Sequence, residues 1–193
     1  MMRVMSSSAP MTRAIGAAIA SVLQPGAVVV LAGDLGTGKT VLAQGIAAEL
    51  GVTERVVSPT FAIAREYQGR VPVHHLDVYR LDHVQEAIDL GLDELFEGAV
   101  TLIEWGDGVR DLLPADRLEV ELDLLPPAEA DDDTRVITVT SFGPHWLARE
   151  PDLTAAIEAV RATEPTRDAA QRSRAARERP ESPRALGDRA DEQ

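Results

Sequence analysis

Hydrophobic and polar residues follow three different spacings along this chain. A continuous apolar run at residues 27–32 and a second, mostly apolar segment at 99–104 are rich in β-branched residues, as is typical of strands buried on both faces of a parallel sheet. Residues 11–23 and 41–50 repeat apolar positions at helical intervals, and the first segment ends at Pro25-Gly26 and the second at Gly51, so we predict helices there. Buried strands that alternate with helices indicate an α/β fold.

The third spacing is a strict alternation of apolar and polar residues at 118–124. Residues 135–140 can pair with this segment as a second strand, with an acidic loop between the two. This pattern predicts an antiparallel hairpin near the C-terminal end of the domain, with one face in solvent. Glu119, Glu121 and Asp123 share the polar face of the first strand. They could form a carboxylate cluster, but alternation favours an ordinary solvated strand face.

A second hairpin is predicted near the middle of the chain. Extended segments at 56–57, 61–67 and 71–77 are interrupted by a Gln-Gly-Arg turn, which joins the last two segments. Further along, helical spacing at 84–90 and 92–96 indicates two short helices separated by a glycine.

A glycine-rich loop at residues 33–40 joins the first apolar strand to the helix at 41–50. Its sequence, G-D-L-G-T-G-K-T, is a complete G-x-x-x-x-G-K-T motif, and Lys39 within it is the only lysine of the chain. In such a loop, successive backbone N–H groups surround phosphates while the lysine ammonium reaches the β- and γ-phosphates. We therefore predict a site for a nucleoside triphosphate with Mg²⁺.

Two acidic residues close predicted strands and are candidates for the chemistry. Thr40 supplies the loop hydroxyl that binds Mg²⁺ in such sites, and Glu104 ends an apolar strand where a metal-linked carboxylate is expected. Asp77 ends another strand in the same way, and we predict a magnesium-linked or catalytic role for it. The alternative is that both acids are ordinary strand-end residues. His74 and His75 could shuttle protons or serve as hydrogen-bonded scaffold, and the latter is more typical of histidine in a strand.

Composition limits the remaining possibilities. The net charge of −13 argues against a broad direct grip on a nucleic-acid backbone, so an RNA ligand would have to be presented by another protein. Cysteine is absent, and no apolar stretch approaches the roughly 20 residues that span a bilayer, so we expect a cytoplasmic protein without membrane contact. We predict a P-loop ATPase domain at 1–148 and a largely disordered, Ala-, Arg-, Glu- and Pro-rich tail at 149–193.

Four motifs together resemble those of a known family. They are G-D-L-G-T-G-K-T at 33–40, S-P-T-F at 58–61, H-L-D-V-Y-R-L at 75–81 and L-I-E-W at 102–105. Their order and spacing look like the TsaE family, the ATPase subunit of the bacterial machinery that makes tRNA threonylcarbamoyladenosine. The resemblance covers about residues 12–142.

The resemblance implies a P-loop NTPase-like, mostly parallel sheet flanked by helices, with weak ATPase activity in isolation. It implies action on the threonylcarbamoyl-transferase subunit and its partner subunit during modification of adenosine 37, with tRNA reached only through that complex. By the family pattern, Thr40 and Glu104 hold Mg²⁺, Lys39 and Asp77 take part in catalysis, and Thr60 lies in a switch-like segment near the γ-phosphate. The same pattern implies that the phosphates of ATP are held by Leu35, Gly36, Thr37, Gly38, Lys39 and Thr40. Arg135 is a nucleotide contact, and residues 9–12 lie near the adenine.

Two other functions are compatible with the motif. A small-molecule P-loop kinase is one, although such kinases usually carry an Arg-rich lid and a substrate-binding insert, which the largely strand-like segment before Glu104 does not resemble. The other is a docking module that binds ATP without hydrolysing it.

Overall fold

The protein is represented by a computed structural model, which describes residues 1–59, 63–78, 96–105, 113–126 and 134–163. Seven strands and three helices lie in these ranges: β1 (Met2–Ser6), α1 (Ala9–Ala20), β2 (Val28–Ala32), α2 (Lys39–Glu49), β3 (Ala64–Tyr67), β4 (Val73–Asp77), β5 (Val100–Glu104), β6 (Arg117–Leu124), β7 (Arg135–Phe142) and α3 (Pro144–Thr163). One compact unit comprises Met1–Ala162.

The strands form a single sheet in the order β1-β7-β6-β2-β5-β4-β3. β2 pairs in parallel with both β5 and β6, and β5 pairs in parallel with β4. The β1–β7, β6–β7 and β3–β4 pairs are antiparallel, so only β7 and β3 run against the common strand direction. The predicted α/β fold with a mostly parallel sheet and a late antiparallel hairpin is confirmed.

The sheet has an apolar core on each face. On the face that packs against the three helices, alternate residues of the central strands such as Val29, Leu31 and Leu102 meet helix residues such as Ile15 and Ile46. A smaller cluster occupies the other face, with these members: Val28, Val30, Leu76, Val78, Phe96, Ile103 and Leu113. Burial on both faces explains why β2 is a continuous apolar run and why β5 is mostly apolar.

Helices α1 and α2 approach each other at two glycines. A Cβ atom on Gly16 would lie 2.4 Å from the Leu42 carbonyl oxygen, and one on Gly45 would lie 2.1 Å from the Arg13 carbonyl oxygen. Only residues without side chains allow this backbone contact. It fixes α1 directly against the helix that follows the glycine loop.

Several elements differ from the sequence predictions. β1 was not predicted, because it buries only Val4 and Ser6 and pairs with a strand about 130 positions away in the sequence. Residues 56–57 lie outside any strand, and β3 begins at Ala64. The pairing of β6 with β2 was also not foreseen, although the polar face of β6 lies in solvent as predicted, with Glu121 and Asp123 exposed.

The C-terminal part of the unit also extends further than predicted. Helix α3 begins at Pro144 and runs through the predicted domain boundary at 148/149. The remainder of the predicted tail, 164–193, lies outside the described residues. So do the predicted helices at 84–90 and 92–96, except for Phe96. Within the described ranges, no helix has the length and apolar character needed to cross a bilayer.

Candidate functional site

The glycine loop follows β2 and leads into α2 through backbone that favours glycine. Gly33, Gly36 and Gly38 have φ angles of 126°, 85° and 106°, a region that other residues rarely adopt. A Cβ on Gly33 would also lie 2.2 Å from the Leu122 carbonyl oxygen. Gly38 caps α2 without a side-chain hydrogen bond from any described residue, so the first N–H groups of α2 are oriented towards the loop's concavity.

The Lys39 ammonium is held inside this loop. Its Nζ donates to the carbonyl oxygens of Gly33 at 2.6 Å and Asp34 at 2.9 Å. It also lies 4.1 Å from the centre of the Trp105 ring, within range of a cation–π interaction. Trp105 itself has a φ of 62°, which is a strained conformation for a bulky residue and is characteristic of functional sites.

Burial lowers the pKa of the Lys39 ammonium below its ordinary value. The opposing influence, which raises that pKa, comes first from the Glu104 carboxylate and then from Asp77 and Asp34. A buried cation of this kind is costly for the ligand-free protein. A polyanion in the loop would compensate for that cost directly.

Both predicted acids lie at the carboxyl end of the sheet beside the loop. β4 and β5 are parallel and in register, so that Asp77 and Glu104 are neighbours across the two strand ends. Their exposed fractions are 5% and 3%. The Thr40 hydroxyl lies 3.4 Å from Glu104 Oε1. The loop hydroxyl and the strand-end carboxylate therefore meet, as the sequence predicted.

These oxygens suit Mg²⁺, which favours hard oxygen ligands and usually retains waters or substrate phosphates in its shell. Within the described ranges, no group of three or more His, Cys, Asp or Glu side chains is arranged to hold a metal. The donors available from Thr40 and Glu104 would need phosphate and water oxygens beside them. This is the usual way that magnesium is bound together with a nucleotide.

His75 contacts the same carboxylate from below. Its Nε2 lies 2.9 Å from Glu104 Oε1, and the imidazole is fully buried, with an exposed fraction of 0%. From the sequence, His75 was a candidate for either a proton shuttle or a hydrogen-bonded scaffold residue. The structure shows its hydrogen bond to Glu104. The H-x-D spacing carries the signal, because alternation in β4 places His75 and Asp77 on the same face.

A second cation lies beneath the loop. Arg135, at the start of β7, has an exposed fraction of 8%, and a Cβ on Gly38 would lie 3.6 Å from its Nε. Its Nη1 is 3.4 Å from the Thr12 hydroxyl, which in turn lies 2.8 Å from the Ser6 hydroxyl. Nε is buried without a hydrogen-bond partner among the described residues. Sequence reasoning missed Ser6, because it belongs to the unforeseen β1.

A cavity of about 570 Å³ is lined by seven of the ten predicted site residues, and its volume is within the usual size of a ligand site. Thr37 and Arg135 are not among the described residues that line it. It is lined by Leu35, Gly36, Gly38, Lys39, Thr40, Val41, Ser58, Asp77, Glu104 and Trp105. The side chain of Leu35 is 91% exposed, so any phosphate contact there would use its backbone. Thr37 is buried and its hydroxyl donates to the Asp34 carbonyl at 2.9 Å, while Thr60 lies outside the described residues.

Comparison with known proteins agrees with the motifs. The family model described as "Threonylcarbamoyl adenosine biosynthesis protein TsaE" matches residues 6–130. The chain is 45% identical to the tRNA threonylcarbamoyladenosine biosynthesis protein TsaE of Bacillus subtilis over 134 residues, which cover 68% of this chain and 80% of the relative. It is 38% identical to the protein of the same name from Streptomyces coelicolor over 142 residues, covering 72% and 95% of the two chains.

A solved structure gives the same result at the level of the fold. The crystal structure of YdiB from Bacillus subtilis superposes with a TM-score of 0.68 at 36% sequence identity. The match covers 80% of this chain and 94% of YdiB. The family model, the relatives and the fold agree, and the chain belongs to the TsaE family of threonylcarbamoyl adenosine biosynthesis proteins.

Proposed function

We propose that this chain binds and hydrolyses ATP with Mg²⁺ as a subunit required to form threonylcarbamoyladenosine at position 37 of tRNA in the cytoplasm. It acts on the threonylcarbamoyl-transferase subunit and its partner subunit. The observation that carries this proposal is the convergence of Lys39, Thr40 and Glu104 on one cavity beside a glycine loop. The relatives are named for the biosynthetic process, which supports assigning it to this chain.

The loop and its lysine bind the triphosphate. Backbone N–H groups of residues 35–40 surround the phosphates, and the Lys39 ammonium exchanges the carbonyls of Gly33 and Asp34 for phosphate oxygens. Because Lys39 is already desolvated, this exchange adds a strong charge-assisted contact without a further burial cost. Arg135 lies against Gly38 of the loop, which supports a role for it in contacting the same nucleotide.

The two strand-end acids, Glu104 and Asp77, bind Mg²⁺ and orient the water that attacks the γ-phosphate. Thr40 and Glu104 would hold Mg²⁺, which when bound neutralises charge on the β- and γ-phosphates. Asp77, next to Glu104 at the strand ends, is placed to orient the attacking water or a magnesium-bound water. Thr60 lies outside the described residues, and its role as a switch-like residue for the γ-phosphate is carried over from the family pattern. Hydrolysis breaks the bond between the γ-phosphorus and the bridging oxygen, and water supplies the new oxygen and two protons, one to each product.

Charge supports an indirect route to tRNA. A net charge of −13 opposes binding of a polyanionic backbone, so tRNA reaches this subunit only as part of the transferase complex. The ATPase activity of the isolated chain is then weak, because ATP hydrolysis acts on the transferase complex, which the isolated chain lacks.

The test is complementation together with nucleotide binding. Cells depleted of this protein should lose threonylcarbamoyladenosine from their tRNA, measured by mass spectrometry of nucleosides. The wild-type chain should restore it and Lys39→Ala should not. Restoration by Lys39→Ala, or calorimetry that detects no binding of Mg-ATP to folded protein, would overturn the proposal. Phosphate release by the reconstituted complex that is unchanged in Glu104→Ala would favour a docking module without hydrolysis.

A further inference from the structure

A buried histidine, His75, contacts the Glu104 carboxylate, which faces the glycine loop. His75 lies in the middle of β4, and its side chain shares a face with Asp77 and with Glu104 of the neighbouring parallel strand. The Nε2–Oε1 distance of 2.9 Å is a good hydrogen-bond length. Because a carboxylate oxygen only accepts, the proton of this bond belongs to Nε2.

Two donors from different elements converge on one oxygen of Glu104. Thr40 Oγ1, on α2, reaches Oε1 at 3.4 Å, and His75 Nε2, on β4, reaches the same atom at 2.9 Å. A hydroxyl contact of 3.4 Å is long and therefore weak. His75 accordingly contributes most of the restraint on the carboxylate, whose own side chain has three rotatable bonds.

A purely structural role does not account for the choice of histidine. His75 Nδ1 is buried without a hydrogen-bond partner among the described residues. An unsatisfied buried polar atom costs about 1–3 kcal/mol, and an apolar side chain of similar volume would avoid that cost. The imidazole is therefore better explained by its bond to Glu104 than by packing.

We propose that His75 is a positioning residue for magnesium-dependent nucleotide binding, which it supports by holding the Glu104 carboxylate against Thr40. This inference rests on the proposed function. Groups that fix a metal-linked carboxylate typically contribute about 10–100-fold to metal affinity. Loss of the His75 donor is expected to raise the Mg²⁺ concentration needed for tight ATP binding by a factor in that range.

The test compares variants that differ in one hydrogen-bond donor. His75→Leu removes the hydrogen-bond donor and fills its position with an apolar side chain. In His75→Gln the side-chain amide can still donate to Glu104. Calorimetric titration of ATP at stepped Mg²⁺ concentrations should show the increased requirement in His75→Leu and its recovery in His75→Gln. ATP binding in EDTA should be equal in all three proteins, because the loop and Lys39 are unchanged.

Thr101→Val provides the matched control. Thr101 is fully buried on β5, on the opposite face from Glu104, so this variant tests general disturbance of the sheet. It should retain the wild-type Mg²⁺ requirement. A wild-type requirement in His75→Leu, or a defect in His75→Gln equal to that of His75→Leu, overturns the inference.

A measurement on the wild-type protein covers the case in which His75→Leu does not fold. Long-range ¹H–¹⁵N spectra of the imidazoles should show a proton on His75 Nε2 that is protected from exchange. A proton found only on Nδ1 contradicts the inference. If wild-type protein binds ATP equally with and without Mg²⁺, the proposed metal role is overturned as well. If only the His75 variants give the contradicting result, the role of His75 is rejected and the metal role of Glu104 is unaffected.

Discussion

The crossing of α1 and α2 gives the sharpest structural prediction, for the substitution Gly45→Ala. The added Cβ would lie 2.1 Å from the Arg13 carbonyl oxygen and 2.8 Å from its carbonyl carbon. Both are backbone atoms, so no side-chain rotation relieves the overlap. The helices must separate by roughly 1 Å, and that separation weakens the dispersion contacts along the interface.

The expected cost follows from two opposing terms. Overpacking of this kind typically costs about 1–3 kcal/mol, and overlap with backbone places Gly45→Ala near the upper end, at about 3 kcal/mol. Replacing a helical glycine by alanine returns about 1 kcal/mol of helix propensity. The net loss is about 2 kcal/mol, which lowers the Tm by about 4–8 °C for a domain of this size.

Thermal unfolding followed by circular dichroism and calorimetry measures this shift. Ala48→Gly, at an exposed position of the same helix, serves as the control because it changes helix propensity without entering the α1–α2 contact. A Tm for Gly45→Ala equal to or above that of the wild type would refute the reasoning. It would mean that the backbone contact at Arg13 is looser than the structure has it.

Four further outcomes are expected. Glu104→Gln should bind ATP but lose at least 10-fold in phosphate release by the reconstituted complex, because the amide is a poorer magnesium ligand; unchanged release argues against the metal role. Arg135→Met should weaken nucleotide binding by about 10–100-fold in calorimetry, the range for a lost charged hydrogen bond; wild-type affinity contradicts the contact. Removal of residues 164–193 should leave ATP affinity unchanged, because every described residue that lines the cavity precedes them in the sequence. A large loss of affinity would show that the tail contributes. Between the lowered pKa of Lys39 and its ordinary value of about 10.4, the unfolded state binds more protons, so the unfolding free energy of the ligand-free protein should rise with pH. Urea unfolding across that window should show the rise in the wild type and a smaller one in Lys39→Met, and equal slopes would contradict the burial argument.

The order of motifs along the chain made much of this site predictable. The glycine loop between β2 and α2, and the acids that end β4 and β5, follow from short-range patterns: a continuous apolar run, a glycine motif and a terminal carboxylate. Parallel strands bring their carboxyl ends to one edge of the sheet, so Asp77 and Glu104 could be expected beside the loop before any coordinates were known.

Other parts of the site depend on contacts between distant segments. β1 is short, buries only Val4 among its apolar residues and forms a strand because β7 pairs with it. This pairing brings Ser6 and Thr12 to Arg135. The parallel pairing of β6 with β2 likewise cannot be read from an alternating pattern, which indicates a solvated face but not the identity of the neighbour.

The sequence by itself therefore determined the α/β class, the phosphate loop, its unique lysine and the two strand-end acids, because each depends on residues close together in the chain. Only the tertiary structure decided that His75 bonds Glu104, that Arg135 lies beneath Gly38 and that α1 and α2 touch through glycines. Those contacts join segments that are far apart in sequence. Their distances are set by how the sheet and helices pack, and no local pattern encodes that packing.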